Sequence, residues 1–198
     1  MSSLIAHLAA GATAYACRRS APKPSLDVPL LAACLVLAVL PDLDYLLWWS
    51  LRIAVEPRVT HSVGFAAGSA ALAWLLLHGW RATGRSLRPL PLVLTLLAAA
   101  ASHEVLDFLV GVHPSPWLWP FDRQAFRSPL GVLPSAGRLD FGNPYLWRNL
   151  LIEMAVLGPV MLALCAARRL DVQLPRAAWV VLWTVAAVAL TASLALRR

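Results

Sequence analysis

The stretch 89–113 reads PLPLVLTLLAAAASHEVLDFLVGVH. From Pro89 to Ser102 it carries no ionisable side chain and is fit for lipid; His103, Glu104, Asp107 and His113 then follow in quick succession. Ionisable groups at membrane depth are expensive, and by default they mark a functional site. The stretch therefore predicts a membrane helix over 89–112 that ends in chemistry.

The rest of the chain agrees with that reading. Of 198 residues, 60% are hydrophobic and only 14% charged, with a mean hydropathy of +0.68. A soluble globule holds roughly 45–50% apolar and about 25% charged residues, so this is an integral membrane protein. The net charge of +7 does not mark a nucleic-acid binder. Its basic residues cluster at the ends of apolar runs (Arg18, Arg19 and Lys23; Arg81, Arg85 and Arg88; Arg168, Arg169 and Arg176), which is the juxtamembrane pattern. Cys17, Cys34 and Cys165 stand singly with no CxxC pair, which argues against a thiolate metal site.

Six helical segments are expected: 3–17, 28–49, 61–80, 89–112, 147–167 and 177–196. The first is short for a hydrocarbon core of roughly 30 Å. It reads as a retained helix rather than a signal peptide, because no basic region precedes it and Arg18-Arg19 follows it. A polar connection over 113–146, rich in proline and glycine, carries no lipid-compatible run. The expected architecture is one all-α domain over 1–198, a polytopic membrane helix bundle of about five to six helices with a metal site at one membrane face. Alternation of the segments places most short basic loops on one side, and the positive-inside rule makes that side cytoplasmic.

The opposite, extracytoplasmic side then collects the residues able to do chemistry. Asp42 and Asp44 close segment two and His61 opens segment three. His103, Asp107 and His113 end segment four, Glu153 lies early in segment five, and His7 lies near that end of segment one. His103 and Asp107 are four apart and share a helix face. Asp42 and Asp44 are two apart, so on an intact helix only one faces the site while the other caps or orients. Crowded carboxylates repel unless something positive sits among them, and imidazole with carboxylate suits zinc, then manganese or iron(II). Ser62 or Thr60 reads as the N-cap of segment three, and no nucleophile elbow, phosphate loop or dinucleotide fingerprint is visible. Trp48, Trp49, Trp117, Trp119 and Trp147 belong to one interface, and Trp80 and Trp179 to the other. Arg58, Arg123, Arg127, Arg138 and Arg148 are candidates for holding a phosphate.

Taken in order, His7, LPDLDYL (40–46), RVTHS (58–62), SHEVLDFLVG (102–111) and WLWPF (117–121) resemble the LexA-regulated, membrane-bound metal-dependent hydrolase family, the YdjM-like proteins. The likeness is close over 1–122 and weaker beyond. It departs at Glu56, where that family often carries a second histidine before THS. A more distant similarity leads to zinc-dependent phospholipase C and the single-strand nucleases. Their ordered ligands correspond here to His7, Asp42 or Asp44, His61, His103, Asp107, His113 and Glu153, with Asn149 where they carry another histidine.

These resemblances imply a divalent-metal hydrolase with two ions, three at most, that cleaves a phosphoester of a phospholipid or lipid-linked headgroup. Asp107 would bridge, the histidines would ligate, and Asp42 or Asp44 would ligate or act as base. The implied location is the inner membrane, multi-pass, with the site extracytoplasmic. The alternative is a non-hydrolytic membrane protein, either an ion- or proton-coupled transporter or a metal-stabilised structural protein, using the same cluster.

Overall fold

The computed structural model describes residues 2–18, 26–53, 57–81, 89–129, 131–135, 140–168 and 174–196. Arg19, Lys23, Glu56, Arg85, Arg88, Arg138, Arg169, Arg197 and Arg198 lie outside the described residues, as do the side chains of Trp49, Trp80 and Arg81. The helices are α1 (Leu4–Ala16), α2 (Val28–Val39), α3 (Leu43–Leu51), α4 (Val63–Arg81), α5 (Pro89–Val110), α6 (Pro144–Arg168) and α7 (Arg176–Ala195). Short 3-10 turns stand at Leu40–Asp42 and Val59–His61. No strand forms among the described residues beyond an isolated bridge between Ser115 and Phe126.

Among the described residues four stretches are long and apolar enough to cross a membrane: Val28–Tyr45, Leu90–Val110, Pro144–Arg168 and Arg176–Ala195. Leu4–Ala16 and Val63–Gly79 are shorter apolar helices. The protein is thus an all-α, multi-helix membrane protein. Expected segment two is realised as α2, a 3-10 turn and α3. Pro41 has no N–H to give to the helical ladder, and the backbone tightens there before resuming.

The chain divides into two compact units interleaved in sequence. One comprises His7–Val105 and Pro114–Phe126. Its core joins Tyr15, Leu30, Cys34, Leu37, Ala66, Ala70, Leu77, Leu92, Leu96, Ala99 and Ala100. Small residues suit a membrane protein, where helices associate through close van der Waals fit rather than escape from water. Gly11 is one instance. A Cβ there would stand 2.6 Å from the Cys34 carbonyl oxygen and 3.0 Å from the Ala38 Cβ, so only glycine lets α1 lie this close to α2. Asp27 caps α2 through Leu30 N (3.2 Å), and its own N–H donates to the Tyr15 hydroxyl (2.8 Å). The turn at 117–121 is fastened to the start of α4, where Val63 N donates to the Trp117 carbonyl (3.0 Å). Gly64 meets the Trp119 carbonyl there with no room for a side chain.

The other unit comprises Met1–Ala6, Leu106–His113 and Arg127–Arg198, with Met1 outside the described residues. Within it α6 packs against α7, and α6 runs on through Pro159 without a break in its helix. The connection after Arg127 is sewn to helices by polar contacts. Leu133 N donates to the Leu109 carbonyl (3.0 Å), Ser193 Oγ to the Val132 carbonyl (2.6 Å) and Asn149 Nδ2 to the Ser135 carbonyl (2.7 Å). Gly111 (φ +66) ends α5, its N–H donating to the Asp107 carbonyl (2.9 Å), which is the left-handed helix stop that favours glycine.

Candidate metal centre

Within the first unit, four elements meet at His61. The 3-10 turn after α2 supplies Asp42, the start of α3 supplies Asp44, the turn before α4 supplies His61 and α5 supplies His103. His61 and His103 are fully buried, and Asp42 is 17% exposed. Their donor atoms form a small triangle. His61 Nε2 and His103 Nε2 are 3.3 Å apart, and Asp42 Oδ1 lies 3.8 Å from the first and 3.7 Å from the second.

The neighbours assign the tautomers. His103 Nδ1 lies 2.9 Å from the Ala38 carbonyl oxygen. A carbonyl can only accept, so Nδ1 carries the proton and Nε2 keeps its lone pair. Arg58 Nη2 donates to His61 Nε2 (2.8 Å), which makes that nitrogen an acceptor too. The remaining proton of His61 then sits on Nδ1, 3.1 Å from Thr60 Oγ1 and 3.6 Å from Asp44 Oδ2. Two acceptor nitrogens therefore stand 3.3 Å apart, beside a buried carboxylate oxygen that accepts no hydrogen bond. Without an ion that carboxylate oxygen is a buried acceptor lacking a donor, which is costly, whereas His61 Nε2 has the Arg58 N–H. Donor atoms bound to a tetrahedral ion at about 2.0–2.1 Å stand about 3.3–3.4 Å apart. The triangle has those dimensions to within a few tenths of an ångström, and its residues fit a divalent ion.

Asp42 and Asp44 thus take different parts. The interruption at Pro41 lets both address His61, one from each ring nitrogen. Asp42 faces Nε2 and His103, while Asp44 stands by Nδ1, the position from which a carboxylate orients a ligating imidazole. Asp44 also holds Arg58 in a two-pronged grip, Nε to Oδ2 at 2.7 Å and Nη2 to Oδ1 at 3.2 Å. The Arg58 guanidinium also lies over the Tyr45 ring, 4.9 Å from its centroid. His7, fully buried on α1, stacks on His103 with ring centroids 3.9 Å apart and planes 12° apart.

The remaining expected residues are placed as follows. Asp107 follows His103 by one turn of α5 and accepts from Ser2 N (2.9 Å). Glu153 is fully buried and accepts from Ser2 Oγ (2.7 Å) and from Ser3 N at both oxygens (3.1 and 3.2 Å). His113 lies beyond Gly111 and is exposed. Of the arginines considered for phosphate, Arg127 donates to the Gly111 carbonyl (3.0 Å), Arg148 to Asn149 Oδ1 (3.1 Å), and Arg123 is exposed. Ser62 Oγ caps α4 by accepting from Phe65 N (3.1 Å), while Thr60 turns to His61.

Ser3 Oγ caps α1 by accepting from Ala6 N (3.0 Å), the N-cap its place before an apolar run predicts. Sequence reasoning missed the contacts of Ser2 and Ser3 with Glu153 and of Thr60 with His61. Nothing in their spacing signals them, because each acts on a partner far along the chain or on an adjacent ring. Glu104, one step round the helix from His103 and expected from the sequence either to support the ligands from behind or to be unrelated to them, is 4% exposed on α5.

Fold and cluster together define a multi-pass helical membrane protein with a buried His/Asp group able to hold a metal ion. The family model described as YdjM inner membrane protein matches residues 1–196, and the chain belongs to that family. No curated protein and no solved structure matches it.

Proposed function

We propose that this protein is a metal-dependent hydrolase of the inner membrane, acting on a phosphoester of a phospholipid or lipid-linked headgroup at the extracytoplasmic face. The observation that carries the reading is the triangle of Asp42 Oδ1, His61 Nε2 and His103 Nε2, three electron-rich atoms 3.3–3.8 Å apart with the tautomers set toward one point. Among the described residues three protein donors, Asp42, His61 and His103, converge there, and a centre with open coordination positions is the catalytic rather than the structural type. Zinc is the first expectation, with manganese or iron(II) next. When bound, the ion supplies Lewis-acid polarisation of a phosphoryl oxygen and acidification of water.

The protein's own residues prepare that chemistry. Ala38 and Thr60 hold the two imidazoles in one tautomer, Asp44 orients His61, and His7 stacks on the face of His103. Arg58 places a permanent positive charge beside them, suited to an anionic headgroup. In sequence, Asp107 and His113 follow His103 in the spacing of the zinc-dependent phospholipases C, and that likeness supports a phosphoester over another bond. LexA regulation is a property of the resembled family that we extend to this chain as part of the same proposal.

The test is phosphate or headgroup release from mixed lipid–detergent micelles by purified protein, with and without chelator, comparing wild type with Asp42→Asn. Release that chelation and Asp42→Asn both abolish supports the reading. Metal-loaded protein that releases nothing from any phospholipid class would return the cluster to a transport or structural role.

A further inference from the structure

Arg58 makes one contact, with His61 Nε2, that the proposed hydrolase chemistry does not explain. Its Nη2 bears two N–H groups, one directed at Asp44 Oδ1 (3.2 Å) and the other at His61 Nε2 (2.8 Å). The second acceptor is the same nitrogen that belongs to the donor triangle. An imidazole nitrogen has a single lone pair, so an ion and an arginine cannot both use it.

We infer that Arg58 and the ion compete for the lone pair of His61 Nε2, and that ion binding turns the freed guanidinium edge toward an anionic oxygen of the ligand. The inference rests on the metal-centre reading above. Asp44 makes the exchange local. Its grip on Nε (2.7 Å) holds the arm while the Nη2 edge changes partner, so the guanidinium need not leave the site. The side chain is 18% exposed, so the released edge has access to a ligand. A guanidinium edge without its acceptor is best satisfied by an oxyanion, which it binds through planar paired donors. The ligand class is a phosphoryl group or an oxyanion of the same shape. Coupling follows from the shared lone pair: the ion makes the anion site, and the arginine tempers affinity for the ion.

The experiment uses the full chain in detergent, stripped with chelator and titrated with Co²⁺ by absorption spectroscopy. Inorganic phosphate is then titrated into the cobalt-loaded protein. Wild type, Arg58→Gln and Arg58→Lys are compared, with circular dichroism to confirm helix content. Arg58→Gln should bind Co²⁺ about tenfold more tightly, equivalent to ~1.4 kcal/mol, and phosphate about tenfold more weakly. Arg58→Lys keeps the charge but has no planar fork to span Asp44 and His61. It should also bind Co²⁺ more tightly than wild type while retaining part of the phosphate affinity.

If Arg58→Lys matches wild type and only Arg58→Gln is tighter, charge rather than the shared lone pair sets the affinity, and the competition is overturned. Unchanged cobalt binding in both folded variants overturns it as well. A wild-type protein that takes up no Co²⁺ defeats the metal reading itself, an outcome distinct from either of these.

Discussion

At Asp42 a carboxylate oxygen is buried beside two imidazole lone pairs and accepts no hydrogen bond. Such crowding is tolerated for function at the expense of stability, and it leads to two effects of opposite sign for one substitution. Asp42→Asn should weaken Zn²⁺ binding by more than about 100-fold, as measured by chelator competition, because an anionic ligand is lost. In metal-stripped protein the same change should raise stability by about 1 kcal/mol, read from thermal unfolding in detergent, because the amide can donate to a facing Nε2. A lower melting temperature for stripped Asp42→Asn would mean that the triangle is already satisfied without an ion. Asp44→Asn should cost about 10–100-fold in ion affinity, the usual range for a carboxylate that orients a ligating imidazole.

At the scale of elements, the close approach of α1 to α2 sets the depth of His7 and the place of the Ala38 carbonyl that fixes His103. Gly11→Ala should destabilise the protein by about 1–3 kcal/mol, because its Cβ meets a backbone carbonyl that cannot move aside. Gly68→Ala, on α4 with nothing within 4 Å of its Cβ, should be neutral or stabilising by up to about 1 kcal/mol. Melting curves for the two variants should move in opposite directions, and movement in the same direction would refute the packing account. Glu153 serves a comparable joining role in α6, receiving Ser2 and Ser3. Glu153→Ala leaves buried donors without an acceptor, and the loss should be about 1–3 kcal/mol. Its visible sign should be faster amide exchange at Ser3, since that N–H loses its partner.

For the whole molecule, the positive-inside rule applied to the arginine-rich short loops underlies the proposed extracytoplasmic placement of the cluster. Phe121 is 95% exposed in the turn that Val63 and Gly64 hold to the start of α4, two residues from His61. In a variant with the native cysteines replaced by alanine, Phe121→Cys should react with a membrane-impermeant maleimide added to spheroplasts. Labelling only in inverted vesicles would reverse the topology and place the cluster on the cytoplasmic side.

The spans themselves were legible in the sequence. Helices in lipid must be long, apolar and internally hydrogen-bonded, so the segments expected at 89–112, 147–167 and 177–196 announce themselves by composition. They are realised as α5, α6 and α7 with ends shifted by up to three residues. The candidate residues were legible as well, because ionisable side chains stand out against such a background. Their division of labour was not. Whether Asp42 or Asp44 faces the imidazoles depends on a 3-10 turn at Pro41 that shifts the helical phase, and on Arg58 reaching across from another loop to claim Asp44. The engagement of Glu153 by Ser2 and Ser3 depends on residues about 150 positions apart. Periodicity and hydropathy are properties of neighbours in the chain, and they determined which segments cross the membrane and which residues are costly to bury. The tautomers, the donor triangle and the hold of Arg58 on His61 depend on directions and distances between separate helices, and only the tertiary structure decided them.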